Sequence, residues 1–314
     1  MKKNIKTAVV FPGQGSQRPG MGKDFYDNIE ASRKTFEEAS DILGWDAAAL
    51  CFSEDERMNL TQYAQPAILA TEIAMLRGLQ DLYGFSPDYF GGHSLGEYTA
   101  LVAAGAMSFS DALKTVETRG YLMQEASPVG QGAMAAVISK NLDVGKLRET
   151  LKDLPLDVAN INSTDQVVIS GRADSMDIAR ERISAAIGED DSMRFIELNV
   201  SAPFHSRFMN AVRDKFREVL NALASRLNSC RAANVTSNYT GLFHAAATAN
   251  VIEALVAQLS GSVKWRDNMY ALAEKSQRIY EIGPNRPLKN FFKSVDVNCR
   301  AITTLAAARK EFSV

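Results

Sequence analysis

Gly92-His93-Ser94-Leu95-Gly96 spells G-x-S-x-G, a spacing with a mechanical reason. A serine held on a tight strand-to-helix turn needs glycine neighbours, because flanking side chains would collide with nearby backbone. The helix that follows then points free N–H groups at the reacting oxygen. An apolar strand candidate precedes Ser94 and a small-residue helix candidate, LGEYTALVAAG, follows it. Ser94 therefore reads as a nucleophile, against the plain alternative of a serine between two convenient glycines.

Such a serine needs a base, and the chain has three histidines. His93 adjoins Ser94, so its side chain projects differently from the turn. His244 lies in GLFHAAATAN, a soft loop without a supporting motif. His205, in SAPFHSRF, falls just past a strand end and before a helix, where catalytic groups gather in α/β folds. His205 is the candidate base. No carboxylate can be singled out to orient it; a backbone carbonyl accepting the Nδ1–H would fix the tautomer equally well. Arg119 shares an apolar helix face with Ala112, Val116 and Met123, and a buried-facing arginine requires an anionic partner. Two partners fit: an internal carboxylate, or the carboxylate of a substrate held by the guanidinium fork.

These residues need a scaffold. Residues 7–11 read as a buried strand leading into a glycine-rich loop that is neither a Walker loop nor G-x-G-x-x-G. Phe25, Ile29, Phe36 and Leu43 recur near a 3.6-residue period and predict one or two helices. Gln65-Pro66 opens another, with Pro66 in its first turn and Gly84 after its end. Ser108 or Ser110 caps a helix running to about residue 126. From 128 the texture changes to strand 133–138, helix 144–151, strands 156–160 and 166–170, helix 175–187 and strand 193–200. That βαββαβ order is ferredoxin-like. Afterwards come helices 206–223 and 250–259 and strands 233–237, 278–282 and 301–304. Alternation of this kind implies a mostly parallel sheet covered on both faces.

The composition is that of an ordinary globular protein: 314 residues, 46% hydrophobic, formal net charge −2. That charge argues against a general nucleic-acid or membrane surface. No run is long enough to cross a bilayer or to serve as a signal peptide, so a cytoplasmic enzyme or binding protein is expected. Cys51, Cys230 and Cys299 form no disulfide or zinc pattern.

FPGQGSQ, GHSLGEY, ETRGYLMQEA, SAPFHS and EIGP occur here in that order. Together they resemble the malonyl-CoA:acyl-carrier-protein transacylase family, including the acyltransferase domains of fatty-acid and polyketide synthases. The resemblance implies an α/β-hydrolase-like subdomain (1–127 and 201–314) with a ferredoxin-like insert (128–200). It implies Ser94 as nucleophile, His205 as base, and backbone N–H groups of Gln14 and Leu95 as the oxyanion hole. Arg119 would pair with the malonyl carboxylate, and the Gln258 main-chain carbonyl would orient His205. Asn162 matches a position near the site mouth, and Phe204 one that accompanies malonyl over methylmalonyl selection. The implied partners are malonyl-CoA and a phosphopantetheinylated acyl carrier protein, with no metal or redox cofactor, no nucleic acid and no membrane. A monomer is expected. Arg207, Arg286, Lys289 and Lys293 are candidates for a basic docking surface. A serine hydrolase, a trans-acting polyketide acyltransferase and a non-catalytic docking subunit are the alternatives.

Overall fold

Every residue of Ala8–Phe11 is buried, and the apolar run has a simple cause: both faces of the strand are covered. In the computed structural model, which describes residues 5–127, 130–187, 193–200 and 202–312, Thr7–Phe11 forms β1. Val9 and Phe11 face one apolar cluster, Ala8 and Val10 another. Strands buried on two sides read as continuous hydrophobic runs rather than alternating ones. Tyr89–Gly92 (β2) lies parallel to β1 on one side.

Chain order then adds a second sheet: Gly132–Ile138 (β3), Leu156–Ile161 (β4), Gln166–Arg172 (β5) and Arg194–Glu197 (β6). It is antiparallel, in the order β4-β5-β3-β6. Helices Val144–Leu151 and Met176–Ile187 complete the expected βαββαβ succession. Their Leu147, Leu151, Ala179 and Ile183 pack with Ala135, Val137 and Ile169. The alternate residues Met134, Ala136, Ala159 and Val168 belong instead to the main core. The period-two pattern of these strands thus fastens one sheet to the rest of the molecule. Positions 128 and 201, where the sequence suggests boundaries, lie outside the described residues. Arg278–Ile282 (β7) and Cys299–Ile302 (β8) complete the parallel sheet, in the order β2-β1-β7-β8.

Three expectations need correction. The helix containing Pro66 runs Thr61–Tyr83, so Pro66 sits in its second turn. The Leu60 carbonyl already accepts the Tyr63 and Ala64 N–H groups at 3.0 and 2.9 Å, which starts the helix a turn early. That start puts Thr61 and Gln65 on the same wall of the central cavity. Gly84 ends the helix in the left-handed conformation, as expected. Residues 233–237 form no continuous strand but two isolated bridges, parallel from Val235 to Phe90 and antiparallel from Thr236 to Phe243. Beyond them Ser237 N–H turns back to Leu242 O at 2.7 Å. The 193–200 strand shortens to β6, held at its end by Leu198 N–H on Met134 O at 2.9 Å. The structure adds short helices where the sequence reading places none, among them Ala47–Phe52, Trp265–Lys275, Pro287–Ser294 and Leu305–Phe312.

Pro287–Ser294 matters because Pro287, Leu288 and Phe291 line the cavity. Buried Glu281, on β7, anchors its start by accepting Leu288 N–H at 3.0 Å and Lys289 N–H at 2.7 Å. Burial pushes the Glu281 carboxyl up to about 7, against the opposing effect of those two N–H donors. Between the ordinary value of 4.5 and about 7 the folded chain holds a proton that the unfolded chain releases. This group's stabilisation is therefore complete below pH 4.5 and lost as pH rises through 7. Urea unfolding should show wild type losing up to about 3 kcal/mol relative to Glu281→Gln across that window. Parallel curves would show that the carboxyl titrates as it does in water.

Candidate active site

The turn after β2 brings Ser94 into the left-handed region at φ 54°. A non-glycine residue there stores about 1–3 kcal/mol of strain and needs its surroundings to hold it. His93 N–H bonds Phe11 O at 3.0 Å, and Ser94 N–H bonds Asn238 Oδ1 at 2.6 Å. The glycines are required by contact. A Cβ on Gly92 would lie 2.0 Å from the Gly96 backbone, and one on Gly96 would lie 2.1 Å from Phe11 O. A third close approach involves Gly13, whose Cβ would meet His93 O at 2.5 Å. The glycine-rich loop after β1 is thereby pressed onto the serine turn.

Ser94 Oγ lies 2.8 Å from His205 Nε2, and His205 Nδ1 lies 2.7 Å from Gln258 O. A carbonyl only accepts, so Nδ1 carries the proton and Nε2 is left to accept the serine O–H. His205 is itself at φ 56° and 4% exposed. Burial, helped by the nearby Arg119 charge, pushes its pKa down to about 3 against the opposing bond to Gln258. The imidazole is thus a neutral acceptor at any working pH above that value.

Arg119 is fully buried on the Phe109–Glu125 helix. Its Nη1 donates to Gln65 Oε1 at 2.8 Å; its Nη2 donates to Gln258 Oε1 at 3.0 Å and Ser94 Oγ at 3.1 Å. The Tyr98 ring stacks beneath the guanidinium at 5.5 Å. Among the described residues no carboxylate forms an ion pair with it, which removes the internal-carboxylate alternative. Neutral amide oxygens carry the charge instead. Burial lowers the guanidinium pKa without removing a charge that arginine retains in proteins.

These groups sit at a cavity of about 670 Å³. Ser94, His205, Gln14, Gln65 and Phe204 line it, whereas Arg119 lies behind the wall. The opposite wall comes from the antiparallel sheet, through Met134, Asn160, Gln166 and Val168. Asn162 also faces the cavity and accepts from His93 Nε2 at 2.8 Å, so that nitrogen of His93 is committed to a partner other than Ser94. The backbone N–H groups of Gln14 and Leu95 have no protein acceptor among the described residues. Leu95 directly precedes the Gly96–Ala103 helix, whose first N–H groups lack intrahelical acceptors.

Sequence reasoning missed a polar layer beneath the turn. Asn238, Glu97, His244 and Asn268 are all buried there. Asn238 Nδ2 donates to Gly92 O and to Asn268 Oδ1, both at 2.8 Å. His244, read as a loop residue, bonds Glu97 at 2.8 Å. The available signal was Glu97 itself, a lone carboxylate inside an otherwise small and apolar helix. Arg207, one of the candidate docking cations, is ion-paired. Asp157 takes its backbone N–H at 2.7 Å and its guanidinium at 2.6 Å, tying the His205 loop to β4. Arg286, Lys289 and Lys293 remain exposed around the Pro287–Ser294 helix.

The acyl transferase domain model matches residues 8–280. The chain belongs to the acyl transferase family. As a member of it, the chain has acyl transfer as its reaction class. The acyl transferase is 38% identical over 312 residues to a malonyl CoA-acyl carrier protein transacylase of Bacillus subtilis (strain 168), spanning 98% of this chain and 94% of that one. It is 37% identical over 305 residues to the protein of the same description from Escherichia coli O157:H7, at 96% and 94% coverage. A solved malonyl CoA-acyl carrier protein transacylase from Clostridium perfringens superposes with a TM-score of 0.88 at 35% identity, covering 98% and 96% of the two chains. Another similar structure, at TM-score 0.88, 34% identity and 98% and 99% coverage, is described as a malonyl-transacylase in complex with its type II polyketide acyl-carrier protein. Among the described residues no helix is long and apolar enough to cross a membrane.

If His205 is the base of this acyl transferase, its activity should lack a titration near 6.5. The rate of Ser94 acylation should hold between pH 7.5 and pH 5, because the neutral imidazole persists to about 3. Stopped-flow acylation at constant ionic strength measures this. Half the rate lost near pH 6.5 would show that the imidazole titrates as in water.

Proposed function

We propose that the protein moves a malonyl group from malonyl-CoA to the phosphopantetheine thiol of an acyl carrier protein through an ester on Ser94. The observation that carries this reading is the buried Arg119 guanidinium, without a carboxylate partner among the described residues and 3.1 Å from Ser94 Oγ. A malonyl ester puts its own carboxylate carbon three bonds from that oxygen.

His205 Nε2 takes the hydroxyl proton as Ser94 Oγ attacks the thioester carbonyl. The oxyanion accepts the free N–H groups of Gln14 and Leu95, each worth roughly 3–4 kcal/mol in such sites. Collapse breaks the C–S bond, and coenzyme A leaves as the thiol with the proton returned by His205. The carrier thiol then gives its proton to His205, attacks the ester carbonyl, and regains nothing: collapse restores the Ser94 hydroxyl with that same proton. The Gln258 carbonyl on Nδ1–H keeps one tautomer through both halves.

Selection follows from two costs. An acyl group without a terminal anion leaves Arg119 buried and unmatched, which disfavours acetyl. Phe204, 8% exposed on the cavity wall, leaves little room for a branch at the α-carbon. Rejecting one methyl this way is worth about 1–3 kcal/mol. Arg286, Lys289 and Lys293, exposed on and beside the helix whose Pro287, Leu288 and Phe291 line the cavity, suit an acidic carrier protein. The reading treats 128–200 as an insert in the 1–127 and 201–314 subdomain; its described strands β3, β4 and β5 supply one cavity wall. The same reading takes the chain to work as a monomer, every reacting group named here belonging to one copy, and to do so in the cytoplasm.

Radiolabelled malonyl-CoA should acylate the wild type and leave Ser94→Ala unlabelled; a labelled variant would remove Ser94 from the chemistry. Release of free malonate in preference to malonyl-carrier would favour a hydrolase. Arg119→Ala should lower malonyl transfer about 100-fold more than acetyl transfer. An equal loss on both substrates would take Arg119 out of recognition.

A further inference from the structure

Glu97 sits three residues after Ser94, fully buried, in the first turn of the Gly96–Ala103 helix. Three N–H donors converge on its carboxylate. Oε2 receives Gln258 Nε2 at 2.7 Å and the Asn238 backbone N–H at 3.0 Å. Oε1 lies 2.8 Å from His244 Nε2. A carboxylate only accepts, so with Glu97 ionised the proton shared with Oε1 is carried by His244 Nε2.

The Gln258 amide bridges this carboxylate and the substrate arginine. Its Oε1 accepts from Arg119 Nη2 at 3.0 Å, while its Nε2 donates to Glu97 and, at 3.0 Å, to Ser94 O. A guanidinium has no acceptor and a carboxylate no donor. Turning the amide over would set NH₂ against guanidinium and oxygen against carboxylate, so the amide has one permitted direction. The same Gln258 offers its main-chain oxygen to His205. Asn238 is held in a matching way. Its N–H is on Glu97, and its Oδ1 receives the Ser94 N–H.

We propose that Glu97, clamped by His244, is a positioning residue for substrate selection: it sets the direction of the Gln258 amide and so aims the Arg119 guanidinium at the acyl carboxylate. The proposal rests on the malonyl reading of Arg119. A residue that only stabilised the fold would affect all acyl groups alike. One that aims Arg119 costs the anionic acyl group more, because acetyl has no carboxylate to pair with the guanidinium.

The test is the ratio of kcat/KM for malonyl-CoA to that for acetyl-CoA in wild type, Glu97→Gln, His244→Leu and His244→Gln, with melting temperature measured alongside. Leu removes the donor to Glu97; Gln can restore an amide N–H near the Nε2 position. The expected result is a roughly tenfold fall in the ratio for Glu97→Gln and His244→Leu, with recovery in His244→Gln. If His244→Leu does not fold, Glu97→Gln and His244→Gln still decide. An unchanged ratio in folded variants, or equal losses on both substrates tracking melting temperature, overturns the positioning role. A wild type without malonyl preference overturns the malonyl reading itself, and this proposal with it.

Discussion

A guanidinium shut away from water, answered among the described residues by amide and hydroxyl oxygens alone, is the constraint on which the site depends. Leaving such a charge without an anion costs several kcal/mol, and the fold tolerates it through several partial compensations. Gln65 and Gln258 each lend an amide oxygen, and the Tyr98 ring lies beneath. Glu97 adds a negative charge one amide away. None of these neutralises Arg119 directly, so an arriving carboxylate has a partner already oriented. The same charge bears on the nucleophile. Nη2 donates to Ser94 Oγ and helps depress the His205 pKa, so base and hydroxyl are tuned by the group that would recognise the acyl chain.

Holding those groups together requires two strained residues. Ser94 and His205 both have positive φ, and each is fixed from several sides. Ser94 is gripped through its N–H by Asn238 and through its carbonyl by Gln258. The loop carrying His205 is fastened by the Gln258 carbonyl on its ring and by Asp157 on Arg207. Backbone strain persists where the surroundings over-determine it, and here the surroundings are hydrogen bonds spanning 50 or more residues of sequence.

The two sheets divide the work. The parallel sheet and its glycine contacts fix the serine turn and the free N–H groups beside it. The antiparallel sheet uses one face for its own helices and the other to close the cavity. Its alternating pattern is therefore a packing device and a binding wall at once.

Local signals in the sequence determined β1, β7, the capped Phe109–Glu125 helix and the βαββαβ succession, because strand runs, caps and glycine stops act over a few residues. They also marked Ser94 and His205: glycine spacing expresses a steric need of the turn, and three histidines leave few candidates. The start of the Thr61–Tyr83 helix was misjudged because the proline signal outweighed an early turn closed by Leu60. Residues 233–237 had the composition of a strand, yet only isolated bridges formed, Val235 to Phe90 and Thr236 to Phe243, since pairing needs a neighbour that continues. The buried layer of Glu97, Asn238, His244 and Asn268 was beyond local reading altogether. Its members lie as much as 171 residues apart (97 to 268) and meet only when the helix after Ser94 packs against the segments around 238 and 258. Hydrogen-bond complementarity between distant side chains leaves no periodic or short-range trace, so tertiary structure alone decided which polar residues would support the reacting ones.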